Sequence, residues 1–77
     1  MDEPISVPYF KVEIKPETEI TDDMIGFDEI PYKDYLEKYD GIIVLEVREI
    51  LGKCVKKDIV DKTYIYKDDV VECFNNE

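Results

Sequence analysis

Six carboxylates, Glu17, Glu19, Asp22, Asp23, Asp28 and Glu29, fall within thirteen residues, with no lysine or arginine among them. Carboxylates at this density can bind a metal, act in pairs as general acid and base, or present a field that attracts a cationic surface. Calcium binding needs oxygen ligands at alternate positions, a central glycine and a closing glutamate. Asp22, Asp23, Gly26 and Asp28 approach that pattern without meeting its spacing. Acid–base pairs serve glycosidases and metal-dependent nucleases, but these need a cleft around their substrate. A chain of 77 residues seldom supplies one. Two readings remain. The stretch is a solvated acidic loop, or it is an anionic surface that docks on a basic patch of a partner. On the second reading all six carboxylates are candidate partner-binding residues.

Other catalytic chemistry is poorly supplied. Histidine is absent, so the usual proton shuttle near neutral pH and every Ser-His or Cys-His nucleophile are missing. Ser6 is the sole serine and stands between Pro4 and Pro8, where a structural role is expected. Phosphate-binding loops need several neighbouring glycines, whereas Gly26, Gly41 and Gly52 are isolated. Cys54 and Cys73 lack the short paired spacing of a zinc site, which would need ligands from elsewhere. The plain reading is two ordinary strand thiols, with a disulfide as the alternative. No catalytic residue, cofactor or metal is expected, and the chain does not read as an enzyme.

Charge narrows the partner class. The formal net charge is −10, and residues 1–40 carry −8 of it, twelve acids against four lysines. The only basic cluster, Lys53, Lys56, Lys57 and Lys62, is interrupted by Asp58 and Asp61. Direct nucleic-acid binding requires cations to displace counterions from phosphates, and this charge opposes it. No run approaches the length needed to span a bilayer, and the N-terminus lacks a secretion-signal pattern. A soluble, cytoplasmic chain of one domain without membrane contact is expected.

The elements that would position these residues are legible in outline. Apolar residues make up 44% of the chain. Ten Ile and eight Val against three Leu and no Ala favour strands. From Val7 to Lys15, Phe10, Val12 and Ile14 alternate with charged residues, as in a half-buried strand. Pro8 and Pro16 bound it and suggest an edge position. The acidic stretch to Ile30 reads as a tethered loop with one turn over Asp22 to Ile25, capped by Thr21 and stopped by Gly26. Pro31 then opens a helix to Asp40 with Tyr32, Tyr35, Leu36 and Tyr39 on one face, ended by Gly41.

Ile42 to Leu51 is ambiguous between strand and helix, and its consecutive branched residues favour a central strand. Strands around Cys54 to Val60, Thr63 to Lys67 and Val70 to Phe74, with turns at Gly52-Lys53, Asp61-Lys62 and Asp68-Asp69, read as a meander before Asn75 to Glu77 fray. The expected fold is α+β, a mostly antiparallel sheet of four or five strands with one short helix packed on a face. Phe10, Val12, Ile14, Leu36, Ile43, Leu45, Val47 and Ile65 are the expected core.

For so short a chain, binding is a smaller structural demand than catalysis. The expected function is a small acidic protein-binding module, an inhibitor or neutralising protein that mimics nucleic acid and occupies a basic surface on a protein partner. Viral or phage-type inhibitors, immunity proteins and antitoxins share this composition, which is an analogy of composition and not of motif. The alternative is a non-catalytic accessory subunit or adaptor that docks through an apolar or strand-edge surface.

Overall fold

A computed structural model describes residues 3–60 and 62–73. The fold is α+β, with a small antiparallel sheet and one helix. Among the described residues there are five strands, β1 (Pro4–Phe10), β2 (Ile25–Pro31), β3 (Cys54–Val55), β4 (Thr63–Tyr64) and β5 (Val70–Val71), and one α-helix, α1 (Tyr32–Lys38). The strands divide into a three-stranded sheet in the order β2-β1-β4 and a two-stranded sheet of β3 and β5. The C-terminal half is therefore no meander. β4 joins the N-terminal strand, and the segment after it returns to pair with β3.

β1 lies at the centre of its sheet and not at an edge. Proline is tolerated there because β4 meets only Tyr9 and Phe10, so among the described residues one side of β1 along Pro4 to Pro8 carries no ladder in which a missing N–H would be felt. The strand also ends five residues earlier than the alternation implies. The chain bends at Val12, leaving that side chain exposed, and Ile14 re-enters the core through an isolated bridge to Ile59 with hydrogen bonds of 2.9 and 2.8 Å.

The helix buries less than its sequence face suggests. With 3.6 residues per turn, Tyr35 and Tyr39 point one way, whereas Leu36 lies about 100° round the axis. Tyr35 is buried and Leu36 is 47% exposed. Leu36→Ala is accordingly expected to cost less than about 1 kcal/mol in urea unfolding, since a half-exposed side chain leaves little cavity.

Ile42 to Leu51 forms neither a strand nor an α-helix. A bridge joins Ile43 to Tyr66, Val44 N–H donates to the Ile65 carbonyl at 2.8 Å, and a 3₁₀ turn follows over Val47–Glu49. Leu45 is exposed and Val47 half-buried. The apolar run has a different cause: its neighbours serve two separate cores. Ile43 joins a cluster with Val7 and Tyr35, while Val44 joins one built from Phe10, Ile14, Ile20, Ile25, Ile50, Val55, Ile59 and Ile65.

That division organises the molecule. Successive side chains of an extended chain point to opposite faces. Ile5, Val7, Ile30, Ile43, Tyr64 and Tyr66 belong to the helix-side cluster, whereas Phe10, Ile25, Val44 and Ile65 belong to the other. The extended segments thus form a layer with a core on each face. α1 covers one, and the connecting segments that carry Ile14, Ile20, Ile50 and Ile59 cover the other. The Cys54–Cys73 disulfide ties the end of the β3–β5 pair, so the two cysteines are not free thiols. Phe74, Asn75 to Glu77 and the Asp61 side of the Asp61-Lys62 turn lie outside the described residues.

Candidate functional site

The acidic stretch is held at both ends by burial. Ile20 and Ile25 are core residues, Ile20 N–H donates to the Lys53 carbonyl at 2.8 Å, and Gly52 N–H donates to the Ile20 carbonyl at 3.0 Å. Glu17 and Glu19, just before Ile20, are exposed, and between the two anchors Asp22 and Asp23 stand exposed on a 3₁₀ turn, Asp22–Met24. The expected turn is present, but Thr21 does not cap it through a backbone N–H. Its hydroxyl donates to the Asp23 carboxylate.

The last two candidates are not in a loop. From Ile25 the chain is β2, and Gly26 lies inside the strand. Asp28 pairs with Val7 and Glu29 with Ser6, so they project to opposite faces. The structure therefore gathers Glu17, Glu19, Asp22 and Asp23 on one tethered segment and does not bring all six together. Asp28 is half-buried on the helix side of the layer, and Glu29 is exposed on the other side.

Four ion pairs occur among the described residues: Lys15–Asp58, Arg48–Glu46, Lys53–Glu72 and Lys57–Asp69, at 3.2 to 3.8 Å. None of them uses a carboxylate from Glu17 to Glu29. Three members of the basic cluster are engaged locally, Lys53 and Lys57 with acids of their own half and Lys62 with its Nζ 4.6 Å from the centre of the Tyr9 ring. Among the described residues, no three acidic or cysteine side chains come together to hold a metal ion.

Asp28 has a setting that its place in the sequence does not disclose. It lines a cavity of about 290 Å³ with Tyr9, Lys62, Thr63, Tyr64 and Tyr66. The pairings that assemble it are Tyr9 with Tyr64 on one side and Tyr9 with Gly26 on the other. The Tyr9 ring lies close over Gly26, where a Cβ would stand 2.7 Å from the ring and oblige it to move. The sequence does not disclose the grouping of these tyrosines, because the strands that bring them together are distant along the chain. Gly26 reads from the sequence as the stop of a turn, and the close approach that a glycine inside a strand marks is visible only once Ile25–Pro31 is known to be a strand.

Burial pushes the Tyr64 phenol above its ordinary value near 10, and the Asp28 carboxylate, Tyr39 and Tyr66 add to the shift. A phenol held neutral in the folded state, while its unfolded counterpart ionises, lowers stability as pH rises through the interval between the two values. The wild-type chain is therefore expected to lose stability above about pH 10 more steeply than Tyr64→Phe. Urea midpoints collected from neutral to alkaline pH check this, and parallel curves would remove Tyr64 as the cause.

No helix among the described residues is long and apolar enough to cross a membrane. No known protein family, curated protein or solved structure matches the chain.

Proposed function

We propose that the chain is an acidic protein-binding module, non-catalytic, that docks its carboxylate-rich surface on a basic site of a protein partner, a site of the kind that binds nucleic acid. Inhibition or neutralisation of that partner, in a viral or phage-like setting, is the reading that follows. The observation that carries it is the distribution of ion pairs. The acids of the C-terminal half supply all four, and those from Glu17 to Glu29 supply none among the described residues. An unopposed charge on a segment anchored by Ile20 and Ile25 acts at long range and loses little conformational freedom on binding.

The test replaces Glu19, Asp22 and Asp23 together by Lys. All three are exposed, so the fold is expected to survive. Immobilised wild-type protein is expected to retain a basic partner from a lysate of its host and to release it as salt is raised, because the Debye length shrinks to about 3 Å at 1 M. The triple variant is expected to retain little of that partner. Equal retention by the two proteins at low salt would reduce the acidic segment to a solubility feature.

A second reading, an accessory subunit or adaptor, is favoured by β2. Among the described residues it is an edge strand of seven residues, and its Phe27 is 58% exposed. Docking there would survive high salt.

We place the module in the cytoplasm of the cell in which its partner works. The disulfide pulls against that placement, since cytosolic thiol pools keep most cysteines reduced. Alkylation during lysis decides it. Two alkylated cysteines support the cytoplasm, and none supports an oxidising compartment.

A further inference from the structure

α1 spans only two turns and closes over Val7 and Ile43, leaving the far end of the same face open. There the Tyr9, Tyr64 and Tyr66 side chains and the Asp28 carboxylate line the 290 Å³ cavity. Asp28 is half-buried and forms no ion pair among the described residues. A carboxylate in a partly sheltered site that the chain leaves without a counter-ion gains Coulomb stabilisation when a cation is brought beside it. The faces of phenol rings carry negative potential and attract the same kind of group. The chain itself displays that preference once, with the Lys62 ammonium 4.6 Å from the Tyr9 ring centre. Among the described residues no other cation stands over a ring; Tyr64 meets the Tyr39 ring edge-to-face with centroids 5.3 Å apart, and the part of its ring that lines the cavity, with Tyr66, is aromatic surface without a cation.

We propose that this cavity takes one cationic side chain of the protein partner, a lysine ammonium or an arginine guanidinium, with Asp28 as counter-ion and Tyr64 and Tyr66 as aromatic walls. The inference rests on docking to a basic partner and names the anchor that such docking lacks if it relies on exposed loop charge alone. Lys62 and Thr63 could instead suggest an anion. Asp28 in the same cavity and the net charge of −10 oppose that alternative.

The probes are n-butylammonium and n-butylguanidinium chloride, titrated into the full chain carrying 13C-labelled tyrosine rings. Sodium chloride at matched ionic strength and sodium butyrate are the controls. Ring signals of Tyr9, Tyr64 and Tyr66 are expected to shift and saturate at about 10–100 mM cation, the range of a single weak contact, while sodium chloride and butyrate leave them unmoved. The stronger of the two cations identifies the side chain. Asp28→Asn is expected to weaken the midpoint roughly three- to fivefold. Lys62→Met, which removes a like charge from an exposed position, is expected to tighten it and serves alone if Asp28→Asn fails to fold.

Saturation by butyrate, equal shifts in sodium chloride, an unchanged midpoint in folded Asp28→Asn, or weakening in Lys62→Met would each overturn the proposal. The Glu19, Asp22 and Asp23 triple variant separates this site from the docking reading. It is expected to bind butylammonium as the wild type does. Loss of partner binding by that variant together with a cavity inert to both cations would leave the docking reading standing without this anchor. Retention of the partner together with a saturable cavity would do the reverse.

Discussion

Phe10→Ala is expected to destabilise the protein by about 3–5 kcal/mol, the usual cost of deleting a buried aromatic ring. Phe10 is 1% exposed and belongs to the larger core cluster. It pairs with Ile25 on one strand and Thr63 on another, so it sits where the sheet of three strands is complete. The cavity it would leave is bordered by residues already fixed by other contacts. Ile14 is held by two backbone hydrogen bonds to Ile59, and Ile20 by its own to Lys53, so collapse around the missing ring is restricted. Small domains have only about 5–15 kcal/mol in hand. The substitution should bring the urea midpoint close to zero while the slope stays near that of the wild type, until the native baseline is lost. A loss below about 1 kcal/mol would show that the cluster does not depend on this ring, and the division of the layer into two cores would have to be abandoned.

The residues whose burial was legible from sequence are those whose local alternation and final environment agree. Phe10, Ile14, Ile43 and Ile65 are buried as their positions in apolar segments suggest. Val12 fails because periodicity carries no information about a bend in the chain. Leu36 fails because a two-turn helix has one narrow buried stripe. Ile42 to Leu51 fails for a more general reason. A run of consecutive apolar residues has the same appearance whether it is a central strand or a connector whose neighbours enter different cores. Ile43 and Val44 take the second course, as do Tyr64 and Ile65. That distinction depends on what lies above and below the layer, which is set by contacts distant in sequence.

The acidic residues divide in the same way. Exposure of Glu17, Glu19, Asp22 and Asp23 follows from composition, since unpaired carboxylates stay in water. The separation of Asp28 from Glu29 follows only once β2 is recognised as a strand, because its seven residues contain a glycine, two acids and a terminal proline, all poor strand formers. The pairing with β1 overrides those preferences over seven registered positions. The tyrosine cavity is further still from sequence, since it needs β1, β2 and β4 in register at once.

Reduction of Cys54–Cys73 is expected to lower stability by about 3 kcal/mol, the loop-closure value for a ring of this size. The disulfide spans a sequence separation of 19 and encloses Val55, Ile59 and Ile65, three members of the larger core. β3 and β5 are each only two residues long, so their ladder by itself gives little resistance to separation. Cross-linking there confines the unfolded chain in the region where the folded chain has the least regular structure. For a domain of this size 1 kcal/mol corresponds to about 4–8 °C, so the melting temperature should fall by roughly 12–24 °C in a phosphine reductant. Thiol titration should find no reactive cysteine before reduction and two after it. The Cys54→Ala, Cys73→Ala double variant should melt near the reduced wild type and ignore the reductant, whereas a single substitution would leave a free thiol and confuse the comparison. An unchanged melting temperature in the fully reduced wild type would mean that the β3–β5 pair is held by the packing of Val55 and its neighbours alone. The acidic segment, anchored to Lys53 and Gly52 just before Cys54, should respond as well. If the cross-link steadies that anchor, amide exchange at Ile20 should quicken on reduction at temperatures where the rest of the sheet remains folded.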